Sequence, residues 1–131
     1  MKKKTIMKKL FLDDLRLPYD VFRDTIDPNY KENNTWSIVR TYDEFVKTID
    51  SNGIPEFVSF DHDLSQEHYL PQNQDGDIRY FKLANKTGYH AAQWLINFCK
   101  ENGLKFPEYK VHSQNPKGKE NIIKLIEQAK T

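Results

Sequence analysis

Cysteine is nearly absent. The single Cys99 excludes an internal disulfide and any thiolate metal cluster. It falls on the apolar stripe of an expected helix, where it reads as a small buried hydrophobe. No long uninterrupted apolar segment occurs, so no transmembrane helix is expected. The opening MKKKTIMKKLFLDDL is basic but lacks a continuous apolar stretch and does not read as a signal peptide. A cytoplasmic setting is the expectation. Net charge is also lacking: +1 over 131 residues gives no overall field toward nucleic acid or an anionic membrane. Lys2, Lys3, Lys4, Lys8 and Lys9 read as a solvated fringe. No internal repeat divides the chain, and 131 residues fit a single domain, 1–131, around one core.

What is present is alternation. Apolar residues are 37% of the chain and aromatics 13%, and they come in periodic runs rather than scattered as in a disordered chain. Met7 to Leu12 reads as a strand stopped by Asp13-Asp14. Trp36 to Arg40 is a second, β-branched and aromatic strand. Thr41 and Glu44 have capping-box spacing. Tyr42, Phe45, Val46 and Ile49 then mark one helix face, which Asn52-Gly53 ends. Phe57 to Phe60 is almost wholly apolar, as a parallel strand covered on both faces should be. A helical stripe runs from Thr87 to Gly103 with Ala91, Ala92, Leu95, Phe98 and Cys99 inward. Tyr109 to His112 is a fourth strand. Asn115-Pro116 is an N-cap followed by proline at the first helical position, with Ile122, Ile123, Ile126 and Ala129 facing in.

Strands separated by helices imply βαβ units, and therefore an α/β three-layer fold on a parallel sheet of four or five strands. For four strands the expected order is 2-1-3-4. Two stretches, about 13–35 and 61–86, read as long loops, and loops of that length tend to be lids or binding loops.

In such sheets ligands sit beyond the carboxyl ends of the strands, at the switch point between strands 1 and 3. The reactive residues of this chain fall there. Strand 1 ends in Asp13-Asp14, strand 3 in Asp61-His62-Asp63, and strand 4 in His112-Ser113. Carboxylates gathered in one crevice repel one another unless a cation sits between them. Asp13, Asp14, Asp61 and Asp63 are therefore candidate ligands of a hard divalent cation, Mg²⁺ or Mn²⁺. Alternation along extended backbone aims Asp61 and Asp63 one way and His62 another. His112, His62 and Asp61 are the candidate catalytic groups. Each has a plainer reading: aspartates form turns after strands, His112 fits a core histidine, and Asn115 fits a simple cap. The convergence of three strand ends favours function. Ser113, Asn115, Lys117, Gly118 and Arg16 are candidate phosphate binders, with the free N–H groups of the last helix forming an anion cradle. Arg40 is a further candidate.

Four motifs point the same way: Leu12-Asp13-Asp14-Leu15-Arg16-Leu17-Pro18, Ser59-Phe60-Asp61-His62-Asp63-Leu64, Thr87-Gly88-Tyr89, and Val111-His112-Ser113-Gln114-Asn115-Pro116-Lys117-Gly118. Their content and order, from Leu10 to about Ile126, resemble the cyclic-phosphate-processing receiver-like family. The stretch between Leu64 and Thr87 departs from its pattern. The resemblance implies a flavodoxin- or receiver-like winding and a phosphorylation pocket turned to phosphoester chemistry. The substrates it implies are cyclic phosphates of nucleotide or RNA-processing origin. The expected activity is a metal-dependent phosphoesterase and the expected partner a small phosphorylated ligand. A phosphoacceptor switch at Asp61 and a nucleotide-binding module are the alternatives.

Overall fold

Short apolar runs set the frame. In the computed structural model, which describes residues 8–62 and 87–130, four of them form strands. These are Lys9–Leu12 (β1), Ser37–Val39 (β2), Phe57–Phe60 (β3) and Glu108–Val111 (β4). All pairings are parallel, in the order β2-β1-β3-β4. The α/β receiver-like fold expected from the sequence is therefore the observed one. Register decides where the reactive side chains stand. Leu12 lies beside Val39 and Phe60, and Phe60 beside Val111. The next residue on each strand continues the ladder: Asp13 N–H donates to Val39 O at 3.1 Å, Asp61 N–H to Leu12 O at 3.0 Å and His112 N–H to Phe60 O at 2.9 Å. Asp13, Asp61 and His112 thus stand in a row at the carboxyl edge.

Side chains alternate across a strand, so each face has its own set. Leu10, Leu12, Val58, Phe60 and Val111 point to one face, where Phe45 and Ile49, Ala91, Ala92, Leu95 and Cys99, and Ile122 and Ile126 complete the main core. Those residues come from α2 (Tyr42–Asn52), α3 (Gly88–Glu101) and α4 (Pro116–Lys130). Burial of each large apolar side chain there contributes about 1.5–3 kcal/mol. The other face carries a smaller aromatic cluster of Phe11, Val21, Tyr30 and Trp36 under α1 (Pro18–Thr25). No helix among the described residues is long and apolar enough to cross a membrane.

The helix ends follow local chemistry. Thr41 caps α2 by accepting from Glu44 N–H at 3.1 Å, while the Glu44 carboxylate turns to Arg40 N–H at 2.6 Å. Gly53, at φ 91°, ends α2. Asn115 Oδ1 caps α4 by accepting from Gly118 N–H at 3.0 Å.

The reach 13–35 is not a continuous loop. It holds α1 and two short 3₁₀ turns, Pro28–Tyr30 and Asn33–Thr35. Pro18 is preset for the first helical position, and the Asp20 carboxylate accepts from Leu17 N–H at 2.9 Å. α1 is only eight residues long, and its Pro18, Val21 and Phe22 carry an i, i+3, i+4 spacing that the surrounding prolines and asparagines mask. Of the second reach, 61–86, only Asp61 and His62 are described; Asp63 lies outside the described residues.

Gly88 opens α3 against the end of β3. Its N–H donates to His62 O at 2.8 Å, and a Cβ there would lie 1.7 Å from the Asp61 carbonyl oxygen. Since the neighbour is backbone, it cannot rotate away. Gly88→Ala should therefore destabilise the fold by about 3 kcal/mol or more. Gln93→Ala, on the exposed face of the same helix, should stay within about 0.5 kcal/mol. Paired urea denaturation curves check both.

Candidate functional site

The alternation that builds the two cores also builds the site. Phe11, Asp13, Ser59, Asp61 and His112 all have the parity that points toward α1, and Tyr30 reaches them from the 3₁₀ turn beyond it. Asp13 is the hub. Its Oδ1 accepts from the backbone N–H groups of Leu15 and Arg16, each at 2.9 Å. Its Oδ2 receives Arg16 Nε and His112 Nε2, both at 3.1 Å. The His112 ring is stacked on Phe11 with centroids 4.4 Å apart, and its Nδ1 lies 2.6 Å from Ser59 Oγ. Ser59 Oγ in turn lies 2.6 Å from the Tyr30 hydroxyl.

Protonation follows from these contacts. Burial pushes the Asp13 pKa up, but the hydrogen bonds from His112, Arg16 and Leu15 outweigh it, and the net shift is downward. An ionised Asp13 can only accept, so His112 Nε2 is the donor. Burial lowers the His112 pKa despite the Asp13 contact, so the ring is neutral at neutral pH and Nδ1 accepts. Ser59 then donates to His112 and Tyr30 to Ser59. Burial, partly offset by Ser59, raises the Tyr30 pKa to about 12 and keeps that proton in place. The relay Tyr30–Ser59–His112–Asp13 runs one way.

Asp61 is treated differently. Among the described residues one hydrogen bond reaches it, from His62 N–H to Oδ1 at 2.8 Å. Arg16 Nη2 stays 3.9 Å away because it donates to His112 O at 3.0 Å. Burial first, and then the negative charges of Asp13 and Asp14, raise the Asp61 pKa to about 7 against the pull of Arg16. Asp13, Asp14, Arg16, Asp61, Ser113 and Asn115 line one groove of about 480 Å³. Asp13, Asp61 and His112 each bring a ligand atom within 4.8 Å of the others, a buried group that could hold a metal ion. A cation between all three would compete with the His112 proton for Asp13 Oδ2, so the Asp61 side of the group fits a cation best.

The row of strand ends thus brings together Asp13, Asp14, Asp61, His112, Ser113, Asn115 and Arg16. Other expectations need correcting. His112 does not offer its proton to the groove, because both ring nitrogens are engaged. Arg16 is drawn inward by Asp13 and the His112 carbonyl. Arg40 Nη1 donates to the carbonyls of Asp13 and Arg16, at 3.1 and 2.8 Å, and ties the β1 loop to β2. His62 has the opposite parity and lies in a separate groove with Thr87, Tyr89 and His90. The Gly118 N–H is taken by Asn115, so it cannot cradle an anion. A Cβ on Gly118 would lie 2.4 Å from the His62 ring, so this glycine serves the His62 contact. Lys117 is exposed and does not line the acidic groove. Sequence reasoning missed Ser59 and Tyr30. Ser59 could have been found by its shared parity with Asp61, whereas Tyr30 carried no signal.

A family model described as a cyclic-phosphate processing receiver domain matches residues 8–128. No curated protein and no solved structure gives a match.

Two outcomes are expected. Ser59→Ala should cost roughly 1–3 kcal/mol, since it leaves His112 Nδ1 and the Tyr30 hydroxyl buried without their partner. The His112 ring should keep its Nε2–H tautomer, because Asp13 still accepts from it, seen in the ¹⁵N shifts of the ring. The second concerns pH in the presence of a chelator. A folded pKa near 7 against 3.8 for the free carboxyl means the folded state holds the Asp61 proton more tightly. Stability from this group is complete below about pH 4 and falls as pH rises to about 7, by up to about 4 kcal/mol. The lowered His112 pKa acts in the opposite direction up to its ordinary value of 6.5, but equally in wild type and variant. Asp61→Asn should thus gain on the wild type as pH rises from 4 to 8, measured as the difference in their urea midpoints.

Proposed function

Because this chain belongs to the cyclic-phosphate processing receiver domain family, we propose that it is a metal-dependent phosphoesterase. Its substrate would be a cyclic phosphate or phosphodiester of nucleotide or RNA-processing origin, bound at the acidic groove. One observation carries the reading. Asp61 is a buried carboxyl set beside Asp13 and Asp14 with its nearest guanidinium held away at 3.9 Å. Among the described residues lining the groove, Asp13, Asp14 and Asp61 stand beside the one guanidinium of Arg16, and a divalent cation would suit such a set.

Asp61 and Asp14 would hold the cation, with Asp13 backing them, and hard carboxylate oxygens suit Mg²⁺ or Mn²⁺. When bound, such an ion supplies charge for the phosphoryl oxygens and a more acidic water. The chain's own groups do the rest. Ser113 Oγ accepts from Asn115 N–H at 3.0 Å, which leaves its proton directed outward to a phosphoryl oxygen. Arg16, fixed by Asp13, presents its charge at the groove's rim between Asp61 and Asp24, 3.9 Å from each. Asp61 orients the attacking water. His112 acts through Asp13: it keeps that carboxylate ionised and immobile, as a positioning residue.

The test is turnover of a panel of ribonucleoside cyclic monophosphates with Mg²⁺ or Mn²⁺. Hydrolysis should require the cation, stop with a chelator, and fall at least about 100-fold in Asp61→Asn. Equal hydrolysis by wild type and Asp61→Asn would sink the assignment. So would a stable acyl-phosphate on Asp61 from a small phosphodonor without turnover, an outcome that indicates a phosphoacceptor.

A further inference from the structure

The sheet face that carries Asp13, Asp61 and His112 is covered by α1 and the short turns after it, whereas three helices cover the other face. β4 lies at the sheet's edge. Between α1, β4 and the first turns of α4 a cavity of about 530 Å³ is left open. It runs along the edge of β4, with Val21 on one side of the strand and Val111 and Ile123 on the other. Arg16, Ser113 and Gln114 line both this cavity and the acidic groove, which makes them adjoining halves of one cleft. The groove around His62 and His90 shares no lining residue with the acidic groove, so a ligand anchored at Asp61 does not extend into it.

We propose that this cavity is the subsite for the organic half of the phosphate ester, and that this half is a ribonucleoside. The inference rests on the phosphoester reading of the acidic groove. The cavity's volume is in the range of small-ligand sites, and its lining residues are mostly polar, which suits a ligand rich in hydroxyl groups. Asp24, about half exposed, is the group suited to a vicinal diol. Its carboxylate is held only by long contacts, from Gln114 Nε2 at 3.3 Å and Arg16 Nη1 at 3.9 Å, which sugar hydroxyls can replace. Asp27 is not available in that way, because Lys110 pairs with it at 2.9 Å. Lys119 sits on the rim nearest His112, where it favours an anionic ligand. Tyr109 also lines the cavity, with Lys130 over its ring.

Three probes, each with Mg²⁺ present, separate the halves: inorganic phosphate, a ribonucleoside, and the matching ribonucleoside cyclic monophosphate. In backbone amide titrations of the wild type, nucleoside and nucleotide should shift Asp24, Thr25, Gln114 and Lys119, and phosphate should not shift Asp24 or Thr25. Thr25→Trp, at the exposed end of α1, places a bulky ring at the cavity mouth. It should weaken nucleotide binding by about tenfold or more and leave phosphate binding within about twofold. Nucleotide shifts confined to the acidic groove, or unchanged nucleotide affinity in Thr25→Trp, would overturn the subsite while leaving the phosphoesterase reading intact. Nucleoside shifts at Asp24 and Thr25 in a protein that hydrolyses none of the cyclic phosphates would support the subsite and count against that reading.

Discussion

The contact between Asp13 and His112 organises the rest of the molecule. It joins the end of β1 to the end of β4 across β3, between side chains that are each 1% exposed. A carboxylate has about four lone-pair positions, and Asp13 has all four filled by Leu15, Arg16 twice, and His112. Burying that charge is costly, and it is tolerated because every acceptor position is met. The consequence falls on its neighbour. With Arg16 and His112 both committed to Asp13, Asp61 is left, among the described residues, with one hydrogen bond from His62 N–H and a guanidinium at 3.9 Å. One strand end is therefore a finished structural hub and the next is an unfinished site, and the first condition produces the second.

The phase of four strands explains which residues belong to each. A parallel register that sets Leu12, Val39, Phe60 and Val111 abreast leaves Arg40, Asp13, Asp61 and His112 as the following row, all of one parity. Shifting any strand by one residue would exchange its core and site sets. The same rule removes His62 from the groove: one residue beyond Asp61, it crosses to the main-core side, where Gly118 makes room for its ring. Its proximity to Asp61 in sequence is no guide to proximity of function.

Most of this frame was legible in the chain itself. The β-branched and apolar runs, the Thr41 and Asn115 caps, and the position of Asp13, Asp61 and His112 at strand ends suffice for the strand order and the switch-point crevice. What the chain concealed has physical causes. α1 keeps a helical spacing of apolar residues but spans only eight positions beside a proline- and asparagine-rich stretch, so it reads as loop. Tyr30 lies outside any periodic element, so nothing local announces that its hydroxyl ends a relay to Ser59. Gly118 looks like a free donor at a helix start, but the Asn115 cap consumes that donor. Arg16 reads as a free cation until Asp13 and the His112 carbonyl are seen to fix it at the groove's rim.

Charge accounting then gives the near-neutral composition a meaning. The net charge of +1 says nothing of the groove, where among the described residues Asp13, Asp14 and Asp61 face one guanidinium, already divided between Asp13 and the His112 carbonyl. A global field would attract anions and cations indiscriminately, and would be screened within about 10 Å at ordinary salt. A local, buried imbalance is screened far less and selects by size and coordination. On the proposed phosphoesterase reading, the groove would take up a small hard divalent cation, and that ion would let a phosphate approach the three carboxylates. On that same reading the order of binding would be cation first or together with the phosphate, because unneutralised carboxylates repel a phosphate.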